Sequence, residues 1–228
     1  MKTIKTNLLL TVLLFATLCT CAQTFSLKAG YNLSNIQQKS EDMPMFPFEY
    51  KSISGFHVGG FLEMPINDLF TIESGLQFSS KGSKMELSMN DAYSIGGDIG
   101  IELLINSYYL DIPITLKATH QLNDNLALFA NAGPYIGIGL TGKLKSTLSF
   151  MGQEESEEED IEWGQNEDTD VFRRLDMGLT FGGGVQMKAF LIGLSYDLGL
   201  LNINTTQEGY SSRKNKVFKI SVGYHFGK

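Results

Sequence analysis

The sequence predicts an all-β protein, an eight-stranded antiparallel up-and-down transmembrane β-barrel that follows a cleaved signal peptide. Three observations predict this fold: segments in which apolar and polar side chains alternate, connections that are alternately short and long, and an export signal at the N-terminus. Side chains alternate between the two faces of a strand, so each such segment has one apolar and one polar face. In a transmembrane barrel the apolar face contacts lipid.

Period-two alternation predicts eight strands. They cover residues 24–36, 53–66, 69–82, 100–120, 125–148, 172–188, 191–204 and 215–226. The last strand shows the pattern most clearly, because Phe218, Ile220, Val222, Tyr224 and Phe226 share one face while small or polar residues occupy the other. We expect this strand to pair with the first one and to close the barrel.

The connections between these strands differ in length in a regular way. Those near residues 67–68, 123–125 and 189–190 are short, and the others, over residues 37–52, 83–99, 149–171 and 205–214, are long. Transmembrane barrels have short periplasmic turns and longer extracellular loops, so both termini are expected in the periplasm. A soluble lipocalin-like barrel has the same eight strands with apolar residues inside, and it is the alternative. Aromatic residues near the strand ends favour the membrane barrel.

The N-terminus has the three-part layout of a secretory signal peptide. Lys2 and Lys5 precede an apolar run over residues 8–18, and small residues follow it. The run is too short for a membrane helix, which takes about 20 residues. These features predict export of the chain across the inner membrane.

Cleavage is predicted after Ala22, which makes residues 1–22 a signal peptide and residues 23–228 one outer-membrane barrel domain. A lipid anchor on Cys19 or Cys21 is the competing interpretation. Both cysteines of the chain lie in this segment, so the mature protein would carry no thiol, disulfide or cysteine metal site.

The charge distribution sets limits on the function. The chain has a formal charge of −7, and residues 154–170 alone hold ten carboxylates and no basic residue. The rest of the chain is close to neutral, which argues against a nucleic-acid-binding surface. We therefore expect no nucleic-acid partner.

The polar faces of the strands hold the candidate chemistry. An eight-stranded barrel has an interior that side chains fill, so a wide pore is not expected. The predicted lumenal charge network consists of Lys28, Glu63, Glu73, Asp111 and Lys117. Glu63 and Glu73 should lie nearly opposite one another across a hairpin, and we expect Lys28 to bridge them. A structural salt-bridge network and a proton or ion relay are the two interpretations.

Catalysis, metal binding and cofactors are not expected. The three histidines, His57, His120 and His225, are scattered and show no metal-ligand spacing. A nucleophile needs a base within hydrogen-bond reach, and the sequence alone matches no such pair. We predict that the protein is not an enzyme.

An acidic segment is the most unusual surface feature of the sequence. Its six leading carboxylates are Glu154, Glu155, Glu157, Glu158, Glu159 and Asp160. We expect a mobile extracellular loop, because a run of like charges is solvated and repels itself. The sharper hypothesis is weak divalent-cation binding at the lipopolysaccharide surface, with Trp163 as an interface anchor or partner contact.

Three segments resemble the Bacteroidetes outer-membrane β-barrel family often labelled PorT-like. They are the strand YYLDIPITLK at residues 108–117, the motif GPYIG at residues 133–137, and the final strand over residues 215–226. The resemblance covers essentially the whole mature chain and implies an outer-membrane barrel, with a name-giving member tied to protein secretion and gingipain maturation. The chain departs from many outer-membrane barrels in ending on Gly227 and Lys228 after its last aromatic residue.

Two functions follow as hypotheses. The first is a structural or interaction barrel that assists protein secretion or envelope organisation; the second is a narrow channel for ions or small solutes. The expected partners are outer-membrane lipid, lipopolysaccharide, and secretion or envelope proteins.

Overall fold

The computed structural model describes residues 24–39, 49–89, 99–150, 152–164, 172–205 and 212–226. All its regular elements are strands: β1 (Thr24–Lys39), β2 (Glu49–Lys51), β3 (Ile53–Pro65), β4 (Phe70–Met89), β5 (Ile99–Asn123), β6 (Leu126–Phe150), β7 (Gln153–Asp160), β8 (Leu175–Met187), β9 (Phe190–Gly199) and β10 (Ser212–Phe226). No helix in these ranges is long and apolar enough to cross a membrane. The predicted signal peptide, residues 1–22, lies outside the described residues.

Eight of the strands form a closed antiparallel ring in the order β1, β3, β4, β5, β6, β8, β9, β10. The ring closes where β10 pairs with β1, in a continuous register that runs from Phe25 opposite Phe226 to Lys39 opposite Ser212. The predicted pairing of first and last strands and the eight-stranded antiparallel barrel are therefore confirmed. β2 and β7 lie outside the ring, on β4 and β6 respectively.

The ring has an apolar outer face and a polar interior. Large apolar side chains such as Leu194, Ile220 and Val222 are about half exposed on the outside. Polar and charged side chains on the alternate positions, such as Asn32 and Asp197, are almost fully buried inside. A soluble barrel needs the reverse arrangement, so the lipocalin-like alternative is wrong. The arrangement is that of a transmembrane barrel.

Three tight turns define one end of the barrel, which we call the turn end. In the β3–β4 turn, the Asn67 side-chain oxygen accepts hydrogen bonds from the backbone N–H groups of Leu69 and Phe70. In the β5–β6 turn, Asn123 accepts one from the Asn125 N–H. Lys188 lies in the β8–β9 turn with a left-handed φ of 53° and an exposed side chain.

A projecting sheet extends from the opposite end. It consists of β2 with residues 83–89 of β4, 99–106 of β5 and 142–150 of β6, and of β7 at its edge. The prediction of a mobile acidic loop is wrong, because residues 153–160 form β7 and pair with β6 over their whole length. The hairpin is possible because Gly152 takes a positive φ of 80° in the turn.

The polarity of the strands inverts where they leave the ring. Lys81 of β4 and Ser107 of β5 face the lumen, and the residues two positions further out on the same face, Ser83 and Ile105, begin a mainly apolar surface. The outer face of the projecting sheet is mainly charged, whereas the outer face of the ring is apolar. Water therefore surrounds the projecting sheet and lipid surrounds the ring.

Aromatic side chains mark both limits of the apolar belt. Phe56, Phe78 and Tyr108 cluster just below the projecting sheet, with ring centroids 5.5 to 6.5 Å apart. At the turn end, Tyr224 contacts Phe226 at 4.9 Å and Phe190 packs on Tyr224 at 5.3 Å. Amphipathic and aromatic rings of this kind favour the membrane–water interface.

A charge in the middle of the belt should destabilise the barrel. Leu194→Arg places a guanidinium against lipid, and we expect it to lower the free energy of unfolding by about 2–4 kcal/mol. Leu122→Arg, at the turn end, is the matched control and should cost about 0–1 kcal/mol. Urea unfolding in liposomes, monitored by the loss of the heat-resistant gel band, measures the stability of both variants. Equal losses would contradict the position of the belt.

Candidate functional site

Near the turn end, two lysines and two glutamates form an ion-pair cluster inside the barrel. The β3–β4 register sets Glu63 directly opposite Glu73. Lys28 Nζ lies 2.6 Å from Glu73 Oε1, and Lys117 Nζ lies 2.8 Å from Glu63 Oε1 and 3.9 Å from Glu73 Oε2. The bridge between the two glutamates is therefore Lys117 rather than Lys28. Lys28 pairs in register with Gly59, four residues along β3 from Glu63, and its ion pair is with Glu73.

Aromatic rings support both lysines of this cluster. Lys28 Nζ lies 4.5 Å from the centroid of the Phe61 ring, and Lys117 Nζ lies 4.9 Å from that of Phe129. A ring face attracts a cation, and the attraction grows when water is excluded. His225 Nδ1 lies 3.6 Å from Glu63 Oε1, so its imidazole borders the same cluster.

A second ionic layer centres on Lys81, which is completely buried. Its Nζ donates hydrogen bonds to Asp111 at 2.8 Å and to Asp176 at 3.0 Å. The same nitrogen lies 4.6 Å and 4.7 Å from the ring centroids of Tyr109 and Tyr135. One cation thus joins β4 to β5 and, across the lumen, to β8.

Neighbouring side chains complete the Lys81 layer. The Tyr135 hydroxyl donates to Asp176 at 3.2 Å, and the Asn215 amide donates to the same carboxylate at 2.9 Å. Gly137 leaves the space that the layer needs, since a Cβ at this position would lie 2.5 Å from Asp111 Oδ1. We call Lys81, Asp111, Asp176 and Tyr135 the lumen seal.

Lys219 forms a third ion pair between these two levels. Its Nζ lies 2.5 Å from Asp197 Oδ2 and donates to Gln77 Oε1 at 2.6 Å. A cavity of about 60 Å³ remains beside it, lined by residues that include Lys28 and Asp111. Ligand pockets are typically roughly 300–1,000 Å³ in volume. The lumen is therefore filled by side chains, as an eight-stranded barrel requires.

The five residues of the predicted network are all buried, but they belong to two different levels. Lys28, Glu63, Glu73 and Lys117 lie together near the turn end, and Asp111 pairs with Lys81 further along the barrel. Lys81 was not among the lumenal residues predicted from the sequence. The signal was present, because Lys81 shares the odd-numbered face of β4 with Glu73 and Gln77.

An apolar cap covers the lumen seal at the projecting end. Ile161, Phe172 and Ile203 form a buried cluster, and Trp163 packs beside it. The Trp163 indole sits against the backbone of Gly139, where a Cβ would lie 2.3 Å from its ring. Trp163 therefore belongs to the cap of the barrel, and its predicted role as an interface anchor is not what the structure shows.

A hydrogen-bonded triad of Asn32, His57 and Ser221 links three strands within the lumen. The His57 Nδ1–H donates to Asn32 Oδ1 at 2.6 Å, and its Nε2 accepts from the Ser221 hydroxyl at 2.9 Å. A serine, a histidine and a third residue that orients the imidazole follow one another as in a nucleophilic serine site, but an amide stands where such a site has a carboxylate. The sequence alone did not match these residues. The backbone around Ser221 is held in ladders to β1 and β9, and the 60 Å³ cavity excludes an acyl substrate.

The six acidic residues of β7 divide between the two faces of the projecting sheet. Glu154, Glu158 and Asp160 share the outer face, while Glu155, Glu157 and Glu159 share the lumen-side face. Because side chains alternate between the two faces, adjacent acidic residues of the strand place their carboxylates on opposite faces of the sheet. Among the described residues, no three histidine, cysteine or acidic side chains converge on a point that could hold a metal ion.

Ion pairs cover the outer face of the projecting sheet. Glu158 accepts a hydrogen bond from Lys143, which lowers the pKa of that carboxyl below its ordinary value. Lys84 Nζ lies 2.8 Å from both Glu102 and Glu86, and these hydrogen bonds raise the pKa of Lys84. Lys84 and Lys143 are thus paired with carboxylates on the outer face of the sheet.

Removing the cation of the lumen seal should lower the free energy of unfolding more than removing Lys28. Lys81→Met leaves Asp111 and Asp176 buried without their cation, and we expect a loss of about 3–5 kcal/mol in the free energy of unfolding. Lys28→Met should cost less, because Lys117 still lies near Glu73. Urea unfolding in liposomes compares the two variants.

The rescue experiment uses the carboxylates themselves. Adding Asp111→Asn and Asp176→Asn to Lys81→Met removes the unpaired charges and should restore part of the lost stability. Equal losses for Lys81→Met and Lys28→Met, or a triple variant that is less stable than Lys81→Met, would contradict the role assigned to the seal.

Comparison with solved structures finds outer-membrane proteins at low sequence identity. The attachment invasion locus protein Ail of Yersinia pestis is 18% identical, with 89% of this chain and 98% of that chain covered and a TM-score of 0.34. OprG from Pseudomonas aeruginosa is 12% identical, with coverages of 91% and 97% and a TM-score of 0.42. Neisserial surface protein A is 10% identical, with coverages of 89% and 97% and a TM-score of 0.36.

Comparison with curated proteins gave no significant match. A family model described as "Outer membrane protein beta-barrel domain" matches residues 21–205, which is most of the chain. The match spans the strands from β1 to β9 and includes the residues of the lumen seal. The chain belongs to the outer membrane protein beta-barrel domain family.

Proposed function

We propose that this protein is a sealed outer-membrane barrel that acts by binding other envelope or secreted components at its projecting sheet, and that it neither conducts nor catalyses. The lumen seal is the observation that carries the proposal. Lys81 has no exposed surface and joins carboxylates from β5 and β8 across the interior. A solute that passes this level must separate a buried ion pair.

The alternative of a narrow channel requires an open path. Three ionic levels, centred on Lys117, Lys219 and Lys81, succeed one another along the lumen. Separating a buried pair leaves an uncompensated charge, which costs several kcal/mol. The apolar cap of Ile161, Phe172 and Ile203 adds a further barrier at the mouth. These features favour a closed barrel.

The short turns support an orientation in the outer membrane. Barrels of this class place short turns in the periplasm, which puts the turn end and both termini on that side. The projecting sheet then faces the cell exterior. Outer-membrane lipid and lipopolysaccharide surround the apolar belt, and the charged outer face of the sheet stands above them.

The likeness of residues 108–117 and 133–137 to PorT-like strands supports a role in protein secretion or envelope organisation in a Bacteroidetes-type bacterium. The geometry is compatible with that role, because a sealed barrel can anchor an external sheet without exchanging solutes. The absence of room around Ser221 supports a non-enzymatic role.

Planar-bilayer recording tests the closed barrel. We expect the purified folded protein to produce no reproducible conductance steps, while a general porin inserted under the same conditions produces them. The physical reason is the lumen seal, which fills the interior. Regular steps of one amplitude from the folded protein would contradict the proposal and favour the narrow channel.

Cysteine labelling tests the orientation. Glu155→Cys, on β7, should react with a membrane-impermeant maleimide in intact cells. Asn67→Cys, in the β3–β4 turn, should react only after the outer membrane is disrupted. The unsubstituted chain is the control and should stay unlabelled once the predicted signal peptide has been removed. Labelling of Asn67→Cys in intact cells, with Glu155→Cys protected, would reverse the orientation.

A further inference from the structure

We infer that the lumen-side face of the projecting sheet is a docking surface for a cationic amphipathic segment of another protein. The inference rests on the proposed function, because it assigns a partner chemistry to the sheet through which the barrel is proposed to act. Two observations carry it: an apolar face whose outer residues on β5 and β6 are exposed, and a row of carboxylates without ion pairs along the edge of that same face.

The strand registers place a mainly apolar surface on this face, which Ser146 interrupts on β6. Cross-strand pairs align Met85 with Leu103, Leu87 with Ile101, and Ile101 with Leu148. The aligned apolar side chains are Tyr50, Met85, Leu87, Ile101, Leu103, Ile105, Leu144, Leu148 and Phe150. Near the barrel, Ile105 and Leu144 pack on the cap.

Further out, the apolar face is exposed on β5 and β6, whereas Leu87 on β4 is buried. Leu148 is 49% exposed, Phe150 47% and Ile101 39%. These residues lie beyond the apolar belt, where water surrounds the sheet. A sheet with one solvated face normally presents polar side chains on that face, so an exposed apolar face of this kind marks an interaction site.

The negative charges along the edge of this face indicate the chemistry of the partner. Glu155, Glu157 and Glu159 follow one another along the edge strand on the apolar side. Within the described part of the chain, none of the three takes part in an ion pair. The lysines of the sheet, Lys143 among them, lie on the opposite face. The surface therefore complements a segment with apolar and basic side chains, and it repels the anionic lipopolysaccharide.

The test uses the full protein in zwitterionic lipid nanodiscs and a fluorescein-labelled peptide of alternating lysine and leucine. We expect saturable binding by fluorescence anisotropy, and none for the peptide in which glutamate replaces lysine. Empty nanodiscs give the contribution of lipid. Failure of the lysine peptide to bind above that level would overturn the inference.

Two triple variants of β7 separate a specific surface from general charge attraction. Glu155→Gln with Glu157→Gln and Glu159→Gln removes the charges of the apolar side, and should weaken binding by about fivefold. The matched control, Glu154→Gln with Glu158→Gln and Asp160→Asn, removes three charges from the outer face of the same strand and should leave binding within about twofold. Equal weakening would contradict a face-specific site.

The apolar contribution is tested by Leu148→Ser combined with Ile101→Ser. Both side chains are exposed, so the barrel should retain its heat-resistant band while the peptide binds about tenfold more weakly. Unchanged binding would overturn the inference. In a further measurement, the variant Leu148→Cys reacts with a maleimide in the presence of lipopolysaccharide vesicles. Protection of the cysteine by the vesicles would assign the face to lipid instead.

The two proposals fail separately. If the barrel shows no conductance and has the expected orientation but does not bind the lysine peptide, the proposed function stands and the cationic partner is ruled out. A conducting barrel removes the closed-barrel proposal, whatever the peptide does.

Discussion

Every backbone N–H and C=O group that faces hydrocarbon must find its hydrogen-bond partner within the chain, and the rest of this structure depends on that constraint. An open sheet would leave two unpaired edges in lipid. The long register between β1 and β10 removes both edges, because it joins the ends of the chain over fifteen residue pairs. The up-and-down strand order, the tight turns and the alternation of side chains are all consequences of closing one ring.

Closure at eight strands then determines what the interior contains. The interior of an eight-stranded ring is just wide enough for side chains to fill, and alternation places polar side chains there. Lysines with long stems reach across this space, so that Lys81 contacts β8 as well as β5 and Lys28 reaches past β3 to β4. The Lys81–Asp176 and Lys28–Glu73 ion pairs join strands that share no backbone ladder. The lumen therefore acts as the core of the protein, in a form that replaces apolar packing by paired charges and aromatic rings.

The period of two in the sequence was sufficient to predict the ring, because residues such as Phe218 and Lys219 differ sharply in polarity at every step. The same rule located Glu63 opposite Glu73. It failed where polarity does not alternate: β7 is acidic at nearly every position, so its pairing with β6 depends on backbone hydrogen bonds that the pattern does not show. Contacts across the lumen also escape it, since His57 and Ser221 lie 164 residues apart and meet through the curvature of the ring.

The projecting sheet also constrains the order of assembly. Its charged strands stand on the opposite side of the bilayer from the turns, and ionisable side chains are costly to move through hydrocarbon. The closed ring offers no alternative route, because side chains fill its lumen, and the cavity of about 60 Å³ beside Lys219 is far too small for a β-hairpin. In the orientation proposed above, with the turn end in the periplasm, the β6–β7 hairpin crosses while the seam between β1 and β10 is still open. Pairing of the two terminal strands would then be the last step of membrane insertion and would hold the charged sheet on the exterior side.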